Sequence, residues 1–130
     1  MPRIGVILEL SREHHAALLL ARDALQLPEA VEAATVVAMN ARIAALWRNG
    51  LEAHFAREEA LLEAWPDVLP VEHAERLLVD HADLRAACLQ AGMGGLDARA
   101  LRAFGRRMFD HVRFEERLCF PPMQHAIHGR

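Results

Sequence analysis

Apolar residues recur at helical spacing in four stretches of this chain, with turn-forming residues between them. The first stretch opens at Ser11, a good N-cap, and runs to about Gln26, ahead of Pro28. The second ends near Ala64, before Trp65-Pro66. The third begins at Pro70, suited to a first helical turn, and ends at Gly92-Met-Gly-Gly95. The fourth starts at Asp97, another N-cap, and ends before Pro121-Pro122, leaving Met123 to Arg130 as a short tail. Lengths constrain the first connection. His14 to Gln26 spans about 18 Å of helix, whereas Glu29 to His54 would span about 37 Å. The chain cannot be helical throughout both legs, so residues 27 to about 34 are expected to form a turn or short separate helix. The second helix would then begin near Thr35, which can cap it.

The second stretch places Val36, Ile43, Trp47, Leu51, His54, Glu58, Leu61 and Trp65 on one stripe, opposite Arg48, Glu52, Glu59 and Glu63. The fourth repeats this with Leu101, Phe104, Met108, His111, Glu115 and Leu118. In each, a His and a Glu four residues later fall within the apolar stripe, about 40° apart around the helix and roughly 6 Å along it. The neighbouring Glu59 and Glu116 are expected to point outward into solvent. The other two stretches share Leu-x-x-acid-His, as Leu10-Ser-Arg-Glu13-His14 and Leu77-Leu-Val-Asp80-His81. These repeats predict an all-α fold: an antiparallel up-down four-helix bundle of two αα-hairpins related by a pseudo-two-fold axis, a single domain over residues 1–130.

Composition supports helix over strand. Apolar residues make up 53% and aromatics 5% of 130 residues, with no Tyr. A net charge of −3 gives no electrostatic support for a nucleic-acid partner. Cys88 and Cys119 form no Cys-x-x-Cys motif and read as small buried hydrophobes of a reducing compartment. The run Ile4-Gly-Val-Ile-Leu8 is too short for a signal peptide, and no stretch reaches the roughly 20 apolar residues of a membrane span. A cytoplasmic protein is expected, without membrane or nucleic-acid partners. It would act alone, as a homodimer or with a separate signalling partner, and the apolar N-terminal residues would cover the bundle or form a dimer contact.

An ionised Glu in an apolar stripe is costly unless paired or bound to metal. Four His and two Glu, with at least one from every helix, therefore point to metal ligation by His14 (or His15), His54, Glu58, His81, His111 and Glu115. The face of His14 carries Leu10, Ala17, Leu18, Ala21 and Leu25, while His15 shares its face with Arg22 and Gln26, so His14 is favoured. His73 lies about 80° around the helix from His81 and two turns away, as a surface residue or a lid. His125 and His128 are expected in solvent. Imidazole and carboxylate donors without Cys suit iron or manganese, with zinc possible. Six ligands for two ions, Glu58 and Glu115 being shared, leave coordination positions open to water, dioxygen, nitric oxide or peroxide.

The chain resembles the hemerythrin-like, or HHE cation-binding, domain family. The resemblance rests on Ser11-Arg-Glu-His-His15, His54-Phe-Ala-Arg-Glu-Glu59, Asp80-His-Ala-Asp-Leu-Arg85 and His111-Val-Arg-Phe-Glu-Glu116, followed by Cys119-Phe-Pro121. It implies a non-haem centre of two iron ions bridged by Glu58, Glu115 and an oxo or hydroxo group. Members carry or sense oxygen, sense nitric oxide, handle peroxide or serve iron homeostasis. Oxygen carriers have a fifth His, in a His-x-x-x-His pair on the third helix. Here the positions four residues from His81 are Leu77 and Arg85. The vacancy argues against simple oxygen carriage. The expected function is a metal-binding and sensing protein for a small diatomic or peroxide ligand rather than an enzyme. The alternatives are a redox enzyme turning over peroxide or nitric oxide at the same centre, and a metal-free helical bundle.

Overall fold

The computed structural model describes residues 2–129. The helices are α1 (Gly5–Leu25), α2 (Ala33–Leu46), α3 (Glu52–Ala64), α4 (Val71–Gly92), α5 (Ala98–Phe114) and α6 (Phe120–His128). A π-helical turn, Trp47–Leu51, joins α2 to α3 without a break, and a second, Glu115–Cys119, joins α5 to α6. The result is four rods: α1, α2–α3, α4 and α5–α6. The first packs most extensively against the fourth and the second against the third, closing a four-helix bundle.

The ends of the rods differ in part from the sequence expectation. The first helix starts at Gly5, so Ser11 lies inside it, where its hydroxyl donates to Glu116 Oε2 at 2.8 Å instead of capping. Ile7 and Leu10 are fully buried, and that apolar gain carries the helix past the cap signal and over one end of the bundle. Residues 26–32 form the expected turn, but α2 begins two residues before Thr35 and has no side-chain cap. Asp97 does cap α5, accepting the Ala100 N–H at 2.8 Å.

Pro121-Pro122 do not end the fourth rod. They are the second and third residues of α6, in its first turn after the π turn, where a missing N–H costs little. The segment from Met123 is therefore helical, not a loose tail. The π turn also adds a residue to the register, so Cys119 takes the inward position and Leu118 is 45% exposed. Trp65, expected on the buried stripe, sits at the C-cap of α3 with extended φ of −130° and is 42% exposed.

Two apolar clusters fill the bundle. One gathers Leu20, Ile43, Trp47, Phe55, Leu84 and Phe104, and the other Ile7, Leu10, Leu77, Phe114, Phe120 and Met123. The buried His and Glu residues fall between them along every rod, since Leu10 and Ala17 flank His14 and Leu77 and Leu84 flank His81. Asn40 is a further buried polar residue. It donates to the Leu96 carbonyl at 2.8 Å and accepts the Leu96 N–H at 3.0 Å, fixing the α4–α5 loop to α2.

Gly105 sets the distance between the first and fourth rods. A Cβ there would lie 2.6 Å from the Ala21 carbonyl oxygen and 2.9 Å from the Leu25 nitrogen, both backbone atoms. Alanine gains about 1 kcal/mol in helix propensity, but overpacking a contact that cannot turn aside costs about 1–3 kcal/mol. Gly105→Ala is expected to destabilise the protein by up to about 2 kcal/mol net, lowering Tm by several degrees. An unchanged or higher Tm in thermal unfolding would show that the rods can separate freely.

Candidate metal centre

The structure brings His14, His54, Glu58, His81, His111 and Glu115 together in the layer between the two clusters, all buried. His15, one residue on, is exposed, as its Arg22 and Gln26 face required. Glu58 Oε1 lies 3.0 Å from His81 Nε2 and its Oε2 lies 3.2 Å from His54 Nε2. Glu115 Oε1 lies 2.9 Å from His14 Nε2 and 3.3 Å from His111 Nε2. The donor atoms form two overlapping groups, His14–His54–Glu58–Glu115 and Glu58–His81–His111–Glu115, each within 4.8 Å. Both glutamates belong to both groups.

Each imidazole is held from behind by a carboxylate on another rod. Glu13 accepts from His54 Nδ1 at 2.8 Å, Glu59 from His81 Nδ1 at 2.7 Å, Asp80 from His111 Nδ1 at 2.9 Å, and Glu116 from His14 Nδ1 at 2.7 Å. The four contacts form a ring, in which the first rod serves the second, the second the third, the third the fourth, and the fourth the first. Glu59 and Glu116 are thus half-buried partners of the site, not the solvated residues expected from their sequence position. Glu13 and Asp80 are the acids of the Leu-x-x-acid-His repeat, and each serves the histidine of the next rod.

An arginine stands behind every carboxylate. Arg57 bonds Glu13 at 2.8 Å and Arg85 bonds Glu59 at 3.1 Å. Arg76 lies 3.6 Å from Asp80, and Arg3 lies 3.4 Å from Glu116 Oε1 while donating to its backbone carbonyl at 2.6 Å. Exposed pairs of this kind each contribute about 0–1 kcal/mol, so their main effect here is orientation. Two rings are also fixed by stacking: His14 on Phe120, with centroids 5.2 Å apart, and His81 on Phe55, at 3.9 Å.

A carboxylate can only accept, so each Nδ1 carries a proton and each neutral imidazole turns its Nε2 lone pair inward. His54, His81 and His111 Nε2, both Glu58 oxygens and Glu115 Oε2 are buried without a hydrogen-bond partner. Buried polar atoms are normally paired. Here acceptors face acceptors, and only a cation or added protons can reconcile them. Burial by itself would lower the His54 pKa, but the Glu115 and Glu58 carboxylates outweigh it and push it up to about 10. His111 is likewise pushed up to about 9 against its burial, by Glu115 and Asp80. Glu115 moves the other way: burial would raise it, but His111 and the other imidazoles hold it well below the usual carboxylate range. The centre therefore attracts positive charge strongly.

Among the described residues, no fifth histidine joins the set. Leu77 is fully buried in the apolar cluster, and Arg85 is committed to Glu59. His73 is neither a surface residue nor a lid: it is half-buried, edge-on to Phe114 at 5.7 Å. His125 is exposed as expected, whereas His128 is half-buried over Gly5. Cys88 and Cys119 are free and buried, and burial pushes the Cys88 thiol up to about 12 and Cys119 higher than its ordinary value, so neither is a thiolate.

One side of the centre is open. A cavity of about 330 Å³ lies against His14, His54, His111 and Glu115 and reaches the exposed residues Glu13, Ala16, Asn49 and Gly50. The π turn Trp47–Leu51 forms part of its wall. His81 and Glu58 lie outside its lining.

The donor set fits a metal-binding protein, and comparison with known families agrees. The family model described as hemerythrin HHE cation binding domain matches residues 5–123. Neither a search of curated proteins nor one of solved structures returned a significant match. Among the described residues, no helix is long and apolar enough to cross a membrane.

Proposed function

We propose, since this chain belongs to the hemerythrin HHE cation-binding domain family, that its centre holds two metal ions, iron by preference, and responds to a small ligand. The carrying observation is that two four-donor groups share Glu58 and Glu115. His14 and His54 would serve one ion, His81 and His111 the other, and the two glutamates would bridge them. Imidazole and carboxylate donors, with both thiols protonated, favour iron or manganese over a structural zinc site. Bound iron would supply reversible redox chemistry towards dioxygen, nitric oxide or peroxide.

The chain's own residues do the positioning. The carboxylate ring fixes which nitrogen of each histidine faces inward, and the arginines fix the carboxylates. The apolar clusters shield the centre above and below, and the cavity leaves one side open. With no fifth histidine, ligand access is freer than the oxygen-carrier pattern allows, which favours sensing or handling over carriage. An absorption spectrum of anaerobically iron-loaded protein tests this. Air is expected to produce new near-ultraviolet and visible bands that zinc-loaded protein lacks. Identical spectra before and after air would remove the oxygen-responsive reading.

The outer ring gives a second test. Glu116→Ala removes the partner of His14 Nδ1 and frees the ring to take the wrong tautomer. Loss of such a partner weakens metal affinity by about 10–100-fold. A competitive chelator titration should show that drop. Affinity equal to wild type would mean that the carboxylate ring does not orient the ligands.

A further inference from the structure

The cavity beside the centre is larger than a diatomic ligand needs. Its volume of about 330 Å³ equals about eleven water molecules at roughly 30 Å³ each, and lies at the lower end of small-molecule sites. Its walls are mainly apolar: Ala17, Leu46, Leu51, Phe55, Met108 and Val112 line it. Its polar lining divides into buried and exposed residues. His14, His54, His111 and Glu115 are buried, whereas Glu13 and Asn49 are exposed towards the opening. Glu13 is already tied to His54 and Arg57, so it offers no free charge to a ligand. Such a shape recognises a chain, with one polar group inside and a hydrocarbon tail towards the mouth.

We propose that this cavity binds a small linear amphiphile with an alkyl chain and a single oxygen-donor head, anionic when bound, that reaches the metal pair. Short fatty carboxylates and alkyl hydroperoxides share that chemistry. The inference rests on the dinuclear reading for the head, while the tail rests on the cavity alone. The mouth is made by the π turn. Gly50 stands there with open space where a side chain would project, so a larger residue at this position can narrow the entrance without disturbing a neighbour.

Zinc-loaded protein avoids redox chemistry and allows binding to be read alone, by calorimetry, for acetate, butyrate and hexanoate. Each methylene that enters the apolar cavity should tighten binding by about fourfold, so hexanoate should bind at least tenfold more tightly than acetate. Hexyl hydroperoxide compared with hexanoate distinguishes the two head groups. In metal-free protein, hexanol should shift the methyl NMR signals of Met108, Leu46 and Val112. Gly50→Leu should weaken hexanoate binding to near that of acetate and leave azide binding unchanged. Ala17→Leu, which adds bulk to the cavity lining, should also weaken hexanoate binding.

Equal affinities for acetate and hexanoate with two zinc ions bound would overturn the amphiphile site and leave the dinuclear reading standing. Hexanol shifts elsewhere in the protein would likewise overturn it. Absence of zinc uptake would count against the dinuclear reading and against this head group together.

Discussion

Glu115→Ala is expected to release both metal ions together. Its Oε1 lies within 3.3 Å of His14 and His111 Nε2, and its Oε2 is 3.7 Å from His81 Nε2. It belongs to both donor groups, so its removal takes an anionic ligand from each. Loss of a partner that merely orients a ligand costs about 10–100-fold in affinity, and loss of a shared ligand should exceed this for both ions. Glu58→Ala should behave alike, because its two oxygens face His54 and His81 separately. Helical circular dichroism should survive, since the variant also removes a buried negative charge. Metal analysis after desalting reads the outcome. A stable one-metal form of either variant would contradict bridging.

Metal removal is expected to have the second-largest effect, and to change how stability depends on pH. Free metal at about 1,000 times Kd contributes about 4 kcal/mol per ion, which corresponds to roughly 10–20 °C of Tm for a domain of this size. Without metal, protons must reconcile the facing acceptors. His54, pushed up to about 10, and His111, pushed up to about 9, then hold protons that an unfolded histidine loses at about 6.5. Their contribution is fully present below about 6.5 and is lost as pH rises through 9 and 10. Glu115, held low, adds stability that is present above its ordinary value and lost on acidification. Metal-free protein should therefore be most stable in mildly acidic solution and weaken towards pH 10. Metal must displace the same protons, so the stabilisation by metal should grow over that range. Parallel thermal melts with and without chelator from pH 5 to 10 check this. Curves that stay a constant distance apart would show that metal and protons do not compete.

Helical periodicity placed His54 with Glu58 and His111 with Glu115 on inward faces, and the apolar neighbours of His14 distinguished it from His15. These are properties of one helix at a time, so the sequence carries them openly. What escaped were relations between rods. Glu59 and Glu116 sit beside the stripe on a single-helix projection, and nothing in their own helix reveals that His81 and His14 reach them from the next rod. The signal was present in the Leu-x-x-acid-His repeat, whose acids make the matching contacts to His54 and His111.

The π turns were hidden for a different reason. A single added residue in a turn shifts the register without any characteristic residue type. That shift exchanged Leu118 for Cys119 in the core and carried the helix through Pro121-Pro122. Ser11 misled because cap propensity contributes only about 1 kcal/mol, less than the burial of Ile7 and Leu10 beyond it.

One chain is expected to hold two ions in a shared carboxylate site. Anaerobic titration of metal-free protein with ferrous iron, with bound metal counted after desalting, tests it most directly. The expected endpoint is two ions per chain, both lost in Glu115→Ala. An endpoint of one, or less than about 0.2 iron or manganese per chain after loading, would contradict it.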